Sequence, residues 1–286
     1  GEGAKNVGSY AFAGFDYLHS VSLPSTLKQI SSYASMDCPI ESIDLPEGLS
    51  TIQGSAFYWC TGLRSIRIPS TVFNIGNSAF QGNNLTELVV ADGNSRYDSR
   101  GGCNAIIETA KNTLVVGTPA TVIPADVTAI GNYAFNNMYN LETMVIPEGV
   151  TTIGERAFAT CMRLKEMELP STVTSIGANA FNYCTAMTKI TLGSGLTSIA
   201  KGVFVDCKNM EEVYCYANPG DLVWTDYANS NNFKADKGTQ FHVLAAALDA
   251  WQTKFPVLNV TFVGDLNGAG EVLLVDPELA FTRDTV

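Results

Sequence analysis

The residues able to do covalent, acid–base or metal chemistry are few: seven cysteines, two histidines and some closely spaced carboxylates. A thiol can cross-link, bind zinc or act as a nucleophile, and spacing separates these roles. No Cys-x-x-Cys pair occurs, so zinc is not expected. Cys38, Cys60, Cys161, Cys184 and Cys207 each stand three or fewer residues before the start of an apolar, strand-like segment, and Cys215 takes an inward strand position. Cysteines in such a column read as small buried packing groups, and side chains projecting in parallel seldom reach the disulfide torsion. Cys103, in an irregular stretch, is the cysteine expected to reach the surface.

His19 and His242 lie in no nucleophile motif, and there is no Gly-x-Ser-x-Gly elbow. Glu166 and Glu168 could suggest the paired acids of a glycosidase, but their period-2 spacing puts both on the solvent side of a strand. Towards the end, Asp265, Asn267 and Asp276 fall at positions 1, 3 and 12 of a degraded calcium loop. Ala269 and Leu273 occupy positions 5 and 9 and supply no oxygen, so a turn leading into Glu271–Val275 is the simpler reading. No catalytic residue, metal or cofactor is expected, and the chain reads as a non-enzyme.

Composition narrows the partners. The 286 residues are 46% hydrophobic and 16% charged, with net charge −11, and no Lys/Arg run stands out. Nucleic acid and anionic membrane surfaces both need a basic footprint, so neither is expected. No apolar stretch is long enough to span a bilayer, and no membrane insertion is expected. The chain opens at Gly1 inside a repeat-like pattern, so an export signal is expected upstream and removed.

What positions these residues is a repeat. Ala-Phe recurs at Ala11-Phe12, Ala56-Phe57, Ala79-Phe80, Ala134-Phe135, Ala157-Phe158 and Ala180-Phe181, with Val203-Phe204 and Ala34-Ser35 as variants. From Phe135 to Phe204 the step is 23 residues. Pro24, Pro46, Pro69, Pro124, Pro147 and Pro170 form a second column, with Gly193 in the next slot. Ile30, Ile52, Ile75, Ile130, Ile153, Ile176 and Ile199 form a third. Within a unit, Met167 and Leu169 alternate with Glu166 and Glu168 as a half-buried strand, and Pro170 ends it. Val173 and Ile176 return to the core, Gly177 permits a close or left-handed backbone, and Ala180-Phe181 closes a short helical turn. One unit cannot bury its apolar face alone; stacking makes a continuous core with a parallel sheet. Strand starts from Leu18 to Met210, with one irregular coil after Leu85, give nine coils.

The run Thr172 to Cys184 (Thr-Val-Thr-Ser-Ile-Gly-Ala-Asn-Ala-Phe-Asn-Tyr-Cys) resembles the BspA-like leucine-rich repeat, and the resemblance covers about 7–216. Ala34-Ser35, Asn83 in a cysteine slot and Gly193 in a proline slot depart from it. The resemblance implies an α/β repeat solenoid: a right-handed superhelix with a parallel β-sheet, a short helical or irregular convex side, and no catalytic site. It also implies bacterial surface or secreted proteins used for adhesion. The expected organisation is repeats over 1–216, an insertion near 91–120, a C-terminal cap over 217–264 and a tail over 265–286. In the cap, Leu244 to Phe255 reads as a helix between two strands.

The outward strand positions form two columns. One holds Ser22, Asp44, Arg67, Val89, Val145, Glu168, Thr191 and Tyr214; the other holds Ser20, Ser42, Ser65, Glu87, Thr143, Glu166, Lys189 and Glu212. Asp44 is expected to pair with Arg67, and Lys189 with Glu166 and Glu212. The candidate contacts on this face are Asp44, Arg67, Val89, Val145, Glu168 and Tyr214. Tyr97 and Arg100 in the insertion form a rival patch, because insertions often carry binding. The expected partner is an extracellular protein. The alternatives are a glycan, for which clustered exposed aromatics would speak (Tyr58-Trp59 and Trp224 are the hints), or a structural spacer within a larger surface protein.

Overall fold

A computed structural model describes residues 3–226, 233, 238–258 and 260–267. The chain coils about eleven times. Its strands are β1 (Asn6–Val7), β2 (Ser20–Val21), β3 (Gln29–Ile30), β4 (Ser42–Ile43), β5 (Thr51–Ile52), β6 (Ser65–Ile68), β7 (Asn74–Ile75) and β8 (Glu87–Val90). The irregular coil contributes β9 (Tyr97–Asp98), β10 (Ile106–Glu108) and β11 (Thr113–Val116). Then come β12 (Ala129–Ile130), β13 (Thr152–Ile153), β14 (Glu166–Leu169), β15 (Ser175–Ile176), β16 (Lys189–Leu192), β17 (Ser198–Ile199), β18 (Glu212–Cys215) and β19 (Val223–Trp224). β20 (Gln240–Leu244), helix α1 (Leu248–Lys254) and β21 (Thr261–Leu266) follow.

A regular coil carries two strands rather than one. The Leu-rich segment before each proline builds the front face, where β2 pairs with β4, β6 with β8, and β14, β16, β18, β20 and β21 run in order. The isoleucine column builds a second, back sheet: β1-β3-β5-β7, then β12-β13-β15-β17-β19. The pairing between coils is parallel and in the register that the repeat spacing requires, for instance Glu166 with Lys189 and Lys189 with Glu212. Nine coils fall short of the observed number because β1 and the cap strands β20 and β21 extend the stack at its two ends.

The glycine column serves close approach, not a left-handed backbone. A Cβ on Gly177 would lie 2.5 Å from the Glu155 amide nitrogen, and one on Gly76 would lie 2.3 Å from that of Gly54. In the regular coils the left-handed residues that are not glycine stand at the Ala-Phe corner, which is a turn and not a helix. One precedes each Ala-Phe pair (Ser55, Tyr133, Arg156, Asn179, with φ of 52–61°) and one lies two residues after the Phe (Trp59, Asn137, Thr160, Tyr183, with φ of 57–61°). Side chains resist this region, so something must hold it. Backbone bonds do: the Phe57 amide donates to the Ala79 carbonyl (2.8 Å) and the Trp59 amide to that of Gln81 (2.9 Å), and later coils repeat both.

Inside, the phenylalanines stack almost parallel, with centroids 5.4 Å apart for Phe57–Phe80, 5.0 Å for Phe135–Phe158 and 5.5 Å for Phe158–Phe181. Each is essentially fully buried, which contributes about 1.5–3 kcal/mol apiece. The cysteine column donates Sγ–H to the coil before it: Cys161 to the Phe135 carbonyl (3.3 Å), Cys184 to Phe158 (3.2 Å) and Cys207 to Phe181 (3.1 Å). All seven thiols are free and buried, Cys103 included, so its expected exposure is corrected. Burial pushes the Cys60 and Cys215 thiols up to about 12, which leaves no thiolate for neutral-pH chemistry.

Beyond the repeats, Trp251 on α1, Phe255 and Phe241 on β20 close the core's end. Trp224 joins them at 5% exposure, so it is not a surface aromatic.

Candidate binding surface

The outward columns do face solvent. Asp44, Arg67, Val145 and Glu168 are exposed, Val89 and Tyr214 half-buried, and the inward residues beside them (Ile43, Ile66, Leu88, Met167, Val213) are buried, with Met144 half-buried. Val145 is the extreme at 81% exposure. The segment around it, 141–146, forms no strand and joins neither neighbouring ladder.

An open groove of about 360 Å³ crosses β4, β6 and β8. Ser42, Asp44, Ser65, Arg67, Glu87 and Val89 line its strands, and Glu47 stands at its edge. The groove lies across an interruption, because β4 and β6 belong to separate two-stranded ladders. The expected Asp44–Arg67 pair does not form there. Among the described residues Arg67 has neither an ion pair nor a side-chain hydrogen bond, although three carboxylates line the same groove. An exposed guanidinium left unpaired beside an apolar Val89 can offer five donors to an incoming carboxylate or carbonyl.

At the other end of the face, Tyr214 is clasped between two strands. Lys189 Nζ lies 4.9 Å above its ring, and the His242 ring stacks at 4.5 Å and 8°. Lys189 thus faces the ring, and neither Glu166 nor Glu212 reaches ion-pair distance of it among the described residues, although the register is as expected. The Tyr214 hydroxyl donates to Glu212 (3.1 Å). Burial, with that carboxylate, pushes the phenol up to about 12. His242 Nδ1 meets the Asp265 carboxylate at 2.9 Å, with both side chains buried. A register shift between His242 and Leu244 brings Asp265 there. Asp265 is therefore a partner of His242 on β21. Of the other calcium-loop positions, Ala269, Leu273 and Asp276 lie outside the described residues. Among the described residues His242 Nε2 is buried with no hydrogen-bond partner, hydroxyl or thiol included. Sequence reasoning missed this contact, because no local pattern links position 242 to 265.

The rival patch in the insertion is corrected. Tyr97 is 4% exposed and accepts a hydrogen bond from the Ile75 amide (3.2 Å). Arg100 forks onto Asp98 (2.6 and 2.8 Å), bonds Asn112 (3.0 Å) and pairs with Asp126. Both residues fasten the insertion to its neighbours, which uses up the groups a partner would need.

The BspA-type leucine-rich repeat profile matches six copies over residues 2–100 and 118–234. The chain belongs to the BspA-type leucine-rich repeat family. The gap in the match falls on the irregular coil, where β9 to β11 pair antiparallel. No curated protein matches this BspA-type chain. Solved structures of similar fold include a leucine-rich repeat protein from Eubacterium ventriosum, 23% identical, with TM-score 0.57 over 76% of this chain and 72% of that one. A leucine-rich cell surface protein from Faecalibacterium prausnitzii is 20% identical, with TM-score 0.53 over 74% and 69%. The pneumococcal vaccine antigen PcpA is 16% identical, with TM-score 0.55 over 92% and 85%. At these identities the likeness is one of fold.

Proposed function

We propose that this BspA-type chain is a secreted or cell-surface binding protein, adhesin-like, that grips an extracellular protein by its front face. The observation that carries this reading is the open groove over β4, β6 and β8 with Arg67 unpaired inside it. Arginine at the centre of a contact is a favoured anchor, and Val89 supplies apolar area beside it. Asp44, Glu47 and Glu87 around the guanidinium favour a partner segment with an acidic or carbonyl-rich tip and basic flanks. Val145, further along the face, extends the contact to a large partner. The proposed location takes its support from the family and from two fold neighbours described as a cell surface protein and a vaccine antigen. Binding is preferred over turnover because, among the described residues, no nucleophile partners Nε2 of the buried His242–Asp265 pair.

The test is binding of the purified chain to an array of extracellular matrix and plasma proteins, followed by titration of each hit. Arg67→Glu is expected to weaken a genuine hit by about 30-fold or more, the effect of losing a hot-spot residue. Val145→Lys should weaken it less, with the thermal midpoint unchanged in both variants. Saturable binding that both variants leave intact would remove the front face from the proposal.

A further inference from the structure

A second surface lies at the Ala-Phe corner of the N-terminal coils, away from the front face. Five aromatic side chains form a continuous strip there. Tyr10 stacks on Tyr33 (5.2 Å, 4°), Tyr33 meets Tyr58 edge-on (6.4 Å, 69°), Tyr58 stacks on Trp59 (5.9 Å, 17°), and Trp59 meets Tyr139 edge-on (5.8 Å, 89°). Tyr33 and Trp59 remain 36% and 38% exposed despite these contacts. Their backbones sit in the left-handed region (φ 58° for both), and the Trp59 indole rests on Gly82, where a Cβ would lie 2.3 Å from Cδ1. The fold uses strained, ladder-held positions to fix large rings at the surface, and core packing does not require them: the same two slots hold Ser55, Ser78, Asn137 and Thr160 in other coils.

The surroundings select the ligand chemistry. Across the corner segments 8–14, 31–37, 53–60, 76–84 and 137–140 the single charged residue is Asp37, and no Leu, Ile or Val occurs. The corners of later coils, in contrast, carry Glu155, Arg156, Lys201 and Asp206. Amides flank the strip: the Ser32 amide donates to Gln53 Oε1 (3.0 Å), and Asn140 Nδ2 donates to Asn84 Oδ1 (3.4 Å); the Arg64 guanidinium, which shares the Thr61 carbonyl with Asn84, is turned onto that backbone acceptor. A protein-docking patch would add aliphatic area or charge. Aromatic faces with neutral amides suit a sugar, whose polarised C–H face meets the negative π face while amides exchange hydrogen bonds with its hydroxyls. We infer that the Tyr33–Tyr58–Trp59–Tyr139 strip is a binding platform for a neutral, β-linked oligosaccharide, whose equatorial substituents leave its pyranose faces as C–H surfaces.

The repeat itself supplies variants compatible with the fold, Tyr33→Ser and Trp59→Asn, each copying the residue of another coil at that slot. The full chain would be titrated with cellohexaose and chitohexaose, following tryptophan fluorescence and saturation-transfer NMR from protein to sugar. Expected is saturable binding to at least one hexaose in the high-micromolar to millimolar range. It should weaken tenfold or more in Trp59→Asn or Tyr33→Ser and stay unchanged in Arg67→Glu, with thermal midpoints showing that each variant is folded. Absence of saturation transfer from the folded wild-type chain to either hexaose, or binding that survives both strip variants, would overturn the assignment. Because Arg67→Glu reports on the front face alone, failure here leaves the protein-binding reading standing, and the reverse also holds.

Discussion

At the scale of single residues, the repeat acts as its own control. Asn83 stands where Cys60 and Cys161 stand in other coils, and is 2% exposed with both side-chain amide atoms unpartnered among the described residues. The cysteines at that slot give Sγ–H to a carbonyl of the preceding coil, as Cys60 does to Ser35 (2.9 Å). A buried, unsatisfied amide costs about 1–3 kcal/mol. Asn83→Cys is therefore expected to stabilise the chain by roughly that amount, read as a higher denaturant midpoint with an unchanged slope. An unchanged or lower midpoint would show that the amide is satisfied in solution. The odd residue was legible in the sequence, because a column defines what belongs in it. Its missing hydrogen bonds were not, because they depend on which carbonyl the neighbouring coil turns towards the slot.

At the scale of elements, the inward and outward alternation of Met167, Leu169, Glu166 and Glu168 could be read from spacing, since a strand has period 2. The irregular coil could be read only in part, since Arg100 bonds the nearby Asp98 but Tyr97 and Arg100 are also fixed by Ile75, Asn112 and Asp126, 12 to 26 positions away. That coil is held by charge. Burial pushes the Asp98 carboxyl up, but hydrogen bonds from the Arg100 guanidinium, the Thr109 hydroxyl and the Arg100 amide outweigh it and hold Asp98 below its ordinary value. Glu108 is likewise lowered, with Lys111 and Arg96 outweighing its burial. A lowered folded pKa contributes stability that is present above the unfolded value and is lost as pH falls through the folded one. Hydrogen exchange across 97–113, corrected for intrinsic rate, should therefore accelerate selectively below about pH 4. The cysteine-column coils at 153–207, held by apolar stacking, should keep their protection. Uniform acceleration along the chain would deny the charges this local role. Asp98→Asn should bring the loosening to neutral pH.

At the scale of the molecule, the buried side chains fall into two clusters rather than one. The first runs from Leu27 to Val90 and takes in Tyr97, Ile106 and Val116; the second takes in Cys103, Ala105, Ile107 and Leu114 and continues to Leu258. The irregular coil divides its own side chains between them, so the two halves of the solenoid meet within it. In a stack where each coil contacts only its neighbours, cooperativity is as strong as the weakest interface. Gly117 marks that interface: its amide donates to the Ala134 carbonyl (2.8 Å), and a Cβ there would lie 2.0 Å from Cε1 of Phe135. Phe135 is the first ring of the stack that continues through Phe158, Phe181 and Phe204. Gly117→Ala must therefore shift a buried ring or the backbone, a change expected to cost about 1–3 kcal/mol or more. The loss falls on the contact between halves, not inside either one. Denaturant unfolding of the wild-type chain is expected to be a single transition, and that of Gly117→Ala to split into two. Fluorescence from Trp59 would report the first half, and that from Trp224 and Trp251 the second. A single transition merely moved to lower denaturant would mean that the halves stay coupled by other contacts, with the Trp59–Tyr139 and Asn84–Asn140 bridges across the irregular coil as the next to cut.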